Sequence, residues 1–81
     1  MIDKMVKIKL IKLMKEEKEL REKIEFNIQE VESIEILMEV ERYKNNESLQ
    51  MTYDNMIEET LSLMKEKEEI TKRIDILKTW T

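Results

Sequence analysis

The residues of this chain whose spacing could support chemistry are carboxylates placed one helical turn apart. The pairs are Glu32 with Glu35, Glu35 with Glu39, and Asp54 with Glu58. Acids one turn apart on a helix can share a proton or bind a metal ion. Such sites in helical proteins also use His, which this sequence lacks, and these acids mostly fall outside the apolar positions. We therefore expect a solvated surface, no catalytic or metal site, no cofactor and no small-molecule substrate.

The composition excludes several further classes of protein. The chain has 81 residues, 42% of them charged, and contains no Gly, Pro, Cys or His. Without Cys and His it has no zinc finger, disulfide framework or cysteine nucleophile, and without Gly it has no phosphate-binding loop of the Walker type. No apolar run approaches the roughly 18 residues that span a membrane, and no secretory signal is present. We expect a single soluble domain over residues 1–81, located in the cytoplasm.

Apolar residues recur at alternating intervals of three and four along both halves of the chain. This seam passes through two polar residues in each half, Glu17 and Asn27 and then Thr60 and Lys67. Its apolar members are Leu10, Leu13, Leu20, Ile24, Val31, Ile34 and Met38, followed by Leu49, Tyr53, Met56, Leu63, Ile70, Ile74 and Leu77. The pattern is typical of packed coiled-coil helices and predicts an all-α fold. We interpret the polar seam residues as devices that fix the helix register, rather than as a buried ligand site.

The pattern breaks once, at residues 44–48, which include two Asn and a Ser. Asn tolerates the left-handed conformation that ends helices, and Asn and Ser side chains both cap free amides. We predict helix 1 at about residues 3–44, a turn at about 45–47 and helix 2 at about 48–79. A short connection makes the two helices an antiparallel coiled-coil hairpin. The alternative is one uninterrupted helix in a parallel coiled coil.

Further hydrophobic residues lie off the seam, and a lone hairpin has little interior in which to bury them. This surplus favours a homodimer of hairpins that forms a four-helix bundle. The alternative is that the second apolar surface binds a different protein. Exposed aromatic residues often anchor interfaces, although Trp80 would serve equally to cover the open end of the hairpin. The predicted partner-interface residues are Phe26, Ile36, Val40, Tyr43, Ile57, Leu61 and Trp80.

Charge is distributed unevenly along the chain. The balance is +2 over residues 1–29, −8 over residues 30–69 and +2 over residues 70–81, which gives the net charge of −4. A hairpin would thus have a basic open end and an acidic turn end, and antiparallel packing of two hairpins would set each basic end beside an acidic one. Such charge patterning selects orientation. We predict an acidic face formed by Glu32, Glu35, Glu39, Glu58, Glu59 and Glu66.

The N-terminal residues 1–18 interleave lysines with bulky hydrophobic side chains. The lysines are Lys4, Lys7, Lys9, Lys12, Lys15 and Lys18. We expect this segment to be the overhanging end of helix 1, packed on a partner. The alternatives are a membrane surface or a nucleic acid. Nucleic acid is disfavoured because the chain has only three Arg and is acidic overall.

These features indicate an interaction protein. In layout the chain resembles several unrelated small hairpins, namely phage-encoded inhibitors, RNA-binding plasmid regulators and helical partners of secreted toxins. We predict a non-enzymatic protein-binding module that regulates or inhibits a larger protein, with its acidic residues either solvated or imitating a phosphate backbone. The alternatives are a chaperone-like partner of a secreted or assembly protein and a nucleic-acid-binding hairpin. The residue usage also suggests an AT-rich genome, such as that of a low-GC bacterium or its phage.

Overall fold

The chain folds into two helices that pack against each other as a hairpin, which confirms the predicted all-α helical hairpin. A computed structural model describes residues 4–40 and 44–79. Helix α1 spans Lys4–Glu39 and helix α2 spans Glu47–Lys78. At a rise of 1.5 Å per residue the helices are about 54 Å and about 48 Å long, and the molecule measures 63 × 14 × 14 Å. The hairpin is therefore a long, thin body with a narrow interior.

Helix α1 ends earlier than the sequence pattern indicates. Its last residue is Glu39 rather than residue 44. The Val40 N–H donates to the Leu37 carbonyl oxygen at 3.1 Å, a hydrogen bond that tightens the final turn. Lys44 lies in a turn rather than in the helix. The interruption between the two helices contradicts the alternative of one continuous helix.

Asn46 begins helix α2 as its N-cap. Its backbone is extended, with φ −82° and ψ 107°, and its side-chain Oδ1 accepts a hydrogen bond from the Leu49 N–H at 3.1 Å. Asn thus acts here through its capping oxygen and not through the left-handed conformation, because no residue in the described parts of the chain has a positive φ. Helix α2 also carries Glu47 in its first turn and Lys78 in its last, an arrangement that the helix dipole favours.

The predicted seam forms the contact between the two helices. Its central cluster consists of Leu20, Ile70 and Ile74, which are all buried, and Ile24 and Ile34 are buried further along α1. The side chains that pack around the cluster are Leu10, Leu13 and Leu63. This cluster lies on the open-end side of the middle of the hairpin, and burial of its apolar side chains contributes to the stability of the fold.

Two polar seam residues are buried, and their hydrogen bonding differs. The Thr60 hydroxyl donates to the Met56 carbonyl oxygen at 2.7 Å, so its polar group is satisfied within α2. Asn27 is only 8% exposed, and its Nδ2 has no hydrogen-bond partner. A buried donor without an acceptor destabilises a fold. We call Asn27 the weak layer of the seam, because its unpaired amide lowers the stability of the fold at that position.

Candidate functional site

The two helices leave a groove on each side of the seam, and one groove combines six hydrophobic side chains with six charged ones and two threonines. Its lining residues recur every three or four positions along each helix, so they form one continuous stripe. We call this stripe the apolar flank, defined by Ile24, Ile28 and Val31 of α1 with Ile57, Leu61 and Met64 of α2. Arg21 and Lys67 lie on this flank toward the open end, and Glu32 and Glu35 lie on it toward the turn. Glu25 and Glu68 also line the open end, so the flank combines an apolar centre with an open end of mixed charge and an acidic turn end.

The groove on the opposite side of the seam is mostly charged. We call it the charged flank, defined by Glu19, Glu22, Lys23, Phe26 and Glu59. Asn27 and Leu63 of the seam also line it. Phe26 is 62% exposed and is the large hydrophobic side chain among these charges. Charged residues therefore line both flanks, and the apolar flank differs by its larger number of aliphatic side chains, most of them toward the turn.

The predicted partner-interface residues are divided between different surfaces. Ile57 and Leu61 lie on the apolar flank, whereas Phe26 lies on the charged flank. Ile36 follows the buried Ile34 by two residues, which is about 200° around the helix, so it points away from α2. No single partner surface of the hairpin includes all of these positions.

Three of the predicted interface residues remain, namely Val40, Tyr43 and Trp80. Val40 is exposed, immediately after the end of α1. Tyr43 and Trp80 lie outside the described residues.

Helical spacing could have identified the residues that belong to the apolar flank. Arg21, Ile28 and Glu35 follow one another at intervals of seven, and each is next to a seam position. Ile28 is exposed and lies on the flank, but it was not among the predicted interface residues. The sequence pattern assigns its neighbour Asn27 to the seam and leaves Ile28 out. Met64 has the corresponding place on α2.

The predicted acidic face is distributed around the molecule, with all of its residues except Glu66 in the turn half. Glu32 and Glu35 lie on the apolar flank, and Glu59 lies on the charged flank. Glu58 precedes the buried Thr60 by two residues and so points away from α1. The other two acids of the set, which are exposed as well, are Glu39 and Glu66. In the part of the chain that the structure describes, no group of three or more acidic side chains is placed to hold a metal ion.

The six N-terminal lysines are all exposed and share their surface with hydrophobic side chains. Ile8 and Ile11 are exposed among them. A membrane-surface helix separates its basic residues from its apolar residues on two faces, and this segment does not. Leu10 and Leu13 pack against the core cluster, so the overhang of α1 includes only the residues before them.

Two hydrogen bonds join the helices through side chains that the sequence did not pair. Thr71 Oγ1 donates to Glu17 Oε2 at 2.7 Å, and Tyr53 Oη donates to Glu35 Oε1 at 2.9 Å. The first explains how a carboxylate is accommodated on the seam, since Glu17 accepts a hydrogen bond there. The second fixes the position of the Glu35 carboxylate on the apolar flank.

The hydrogen bond to Glu35 raises the pKa of the Tyr53 phenol above 10.0, with smaller contributions from desolvation and from the negative charges of Glu35 and Asp54. Because the folded state holds this proton more tightly, the contribution to stability is present below pH 10 and is lost as the pH rises through the folded pKa. We expect an ultraviolet titration in a Tyr43→Phe background to show phenolate formation above pH 10. Glu35→Ala should lower the midpoint toward the ordinary value.

Glu39→Ala is the matched control for that titration. It removes the same charge one helical turn away from Glu35 but no hydrogen bond to Tyr53. An equal effect of the two substitutions would show that general negative charge, and not the hydrogen bond, controls the pKa of the phenol.

No protein-family model, curated protein or solved structure matches this chain. Within the described residues, no helix is both long enough and apolar enough to cross a membrane. The surfaces of the hairpin are therefore the basis for inferring its function.

Proposed function

We propose that this chain is a non-enzymatic protein-binding module in which two hairpins pair through their apolar flanks into a four-helix bundle. The observation that carries this proposal is the imbalance between buried and exposed hydrophobic residues. Within residues 4–40 and 44–79, five hydrophobic side chains are buried, whereas thirteen large ones are exposed. Large apolar patches on small proteins commonly mark interaction sites.

The apolar flank is the part of this surface that a helical partner would cover best. Ile28, Leu61 and Met64 are exposed on it, and Ile24 and Val31 form its floor. Burying an aliphatic side chain of this size contributes about 1.5–3 kcal/mol relative to leaving it in water. Within one hairpin the helices already pack along the seam. If a second hairpin packed on this flank, each helix would have apolar contacts on two sides, as helices of a four-helix bundle do.

The acidic turn half supports a regulatory or inhibitory role toward a larger protein. Carboxylates lie there on both flanks and on the outer side of α2, so a basic surface could be contacted from several directions. Binding of that kind weakens as salt increases. A chaperone-like role is the alternative that the apolar flank supports, because a helical client bound there would resist high salt. Capture from a host lysate at two salt concentrations separates these roles.

Leu61→Gln tests the proposed use of the apolar flank. Gln is a good helix former, so the hairpin should still fold, but the polar side chain removes apolar area from the centre of the interface. We expect sedimentation equilibrium to show that the dimer dissociation constant rises by about tenfold or more, since losing one buried aliphatic side chain in each of two subunits exceeds about 1.4 kcal/mol.

Ile76→Gln is the matched control, because Ile76 and Leu61 are each 60% exposed in the hairpin. Ile76 follows the buried Ile74 by two residues and points away from α1. We expect no change in its dissociation constant. A wild-type chain that remains monomeric at high concentration, or equal effects of the two substitutions, would contradict the proposal.

A further inference from the structure

We infer that the second copy packs antiparallel on the apolar flank, with Arg21 of each copy against Glu35 of the other and Ile28 at the two-fold axis. This inference rests on the self-association proposed above and adds its register and orientation. Three flank residues are evenly spaced along α1. Arg21 and Glu35 are both seven residues from Ile28, which places the three side chains on one line about 10 Å apart.

A two-fold axis perpendicular to the helices exchanges the two ends of the flank. If that axis passes through Ile28, Arg21 of one copy is placed over Glu35 of the second, and the same contact occurs twice. The hydrophobic residues of α2 have a compatible arrangement, because Leu61 lies in the middle of the flank between Ile57 and Met64. Leu61, which lines the same part of the groove as Ile28, then lies near its own equivalent.

The charges around these residues favour this orientation. Toward the turn, the lining of the flank carries Glu32 and Glu35 and no basic residue. Toward the open end it carries Arg21 and Lys67, together with Glu25 and Glu68. Glu68 is paired with Lys72 at 3.6 Å, which offsets its charge. A parallel arrangement would instead place the acidic turn ends side by side, where like charges repel.

The test is a charge exchange measured by sedimentation equilibrium. We expect Arg21→Glu and Glu35→Arg each to raise the dimer dissociation constant about tenfold, because each creates two repulsive contacts by symmetry. The double variant Arg21→Glu/Glu35→Arg restores attraction and should return the constant to near the wild-type value. Circular dichroism of each variant checks that the hairpin remains folded.

Lys15→Glu and Glu58→Arg are the matched controls, since they make the same changes of net charge on exposed positions away from the apolar flank. Each should leave the dissociation constant unchanged. The Arg21–Glu35 contact would be overturned if the dissociation constant of the double variant stayed raised, or if the control variants raised it as much as the flank variants do. The dimer itself would still stand in either case.

A distance measurement distinguishes the orientation from the self-association itself. The chain has no Cys, so Asn45→Cys gives one site for a nitroxide at the turn. In the antiparallel dimer the two Glu39 ends of α1 are 22 helical rises, or about 33 Å, apart along the bundle, and the labels lie beyond them. A dimer with labels closer than about 25 Å, which is shorter than this separation, would overturn the antiparallel arrangement and leave the proposed self-association intact. A monomer would overturn both.

Discussion

Ile74→Ala should lower the free energy of unfolding of the hairpin by about 2–4 kcal/mol. Ile74 is 4% exposed, the lowest value among the buried hydrophobic residues, and it packs with Leu20 and Ile70. Truncation removes apolar contacts and leaves a cavity in a cluster that has few other members. A domain of this length has a total stability of roughly 4–12 kcal/mol, so the variant should be partly unfolded under conditions in which the wild type is folded.

Urea denaturation followed by far-ultraviolet circular dichroism, at a fixed protein concentration, measures this loss. Ile76→Ala is the internal control, because the same change is made two residues away on a side chain that is 60% exposed. Substitutions at exposed positions usually change the free energy of unfolding by less than about 0.5 kcal/mol. Similar losses in both variants would show that the cluster around Ile74 is not the main source of stability.

Asn27→Leu should raise the free energy of unfolding by about 1–3 kcal/mol. The substitution removes a buried donor that has no acceptor and adds apolar contact with the opposite helix. The increase should be measured as a higher urea midpoint with an unchanged slope, since the surface exposed on unfolding hardly changes. A polar seam residue of this kind lowers stability while limiting the register of the helices.

Asn55→Leu separates this effect from helix propensity. Asn55 is exposed on α2, so replacing it by Leu changes the intrinsic preference for helix by a few tenths of a kcal/mol and little else. If Asn27→Leu gained no more than Asn55→Leu, the amide of Asn27 would have to be hydrogen-bonded in solution, and the weak layer assigned to it would not exist.

The two grooves show why the surface to which an off-seam residue belongs was harder to predict than membership of the seam. Phe26 and Leu61 are both hydrophobic and both exposed, but they lie on opposite flanks. Spacing along one helix gives the angle of a side chain relative to its own seam. Whether side chains of two helices share a surface depends also on how each helix is rotated against the other, and that rotation is set by packing.

The sequence by itself determined that the chain is helical, that it breaks near Asn46 and that its seam residues face one another. Those features follow from local rules, because side-chain direction repeats every 3.6 residues and Asn caps a helix wherever a free amide lies beside it. The tertiary structure decided that Asn27 lacks an acceptor, that Glu35 is held by Tyr53 and that Ile28 shares a groove with Leu61. Each of these depends on atoms of the second helix, whose axial and rotational position results from the packing of the whole seam.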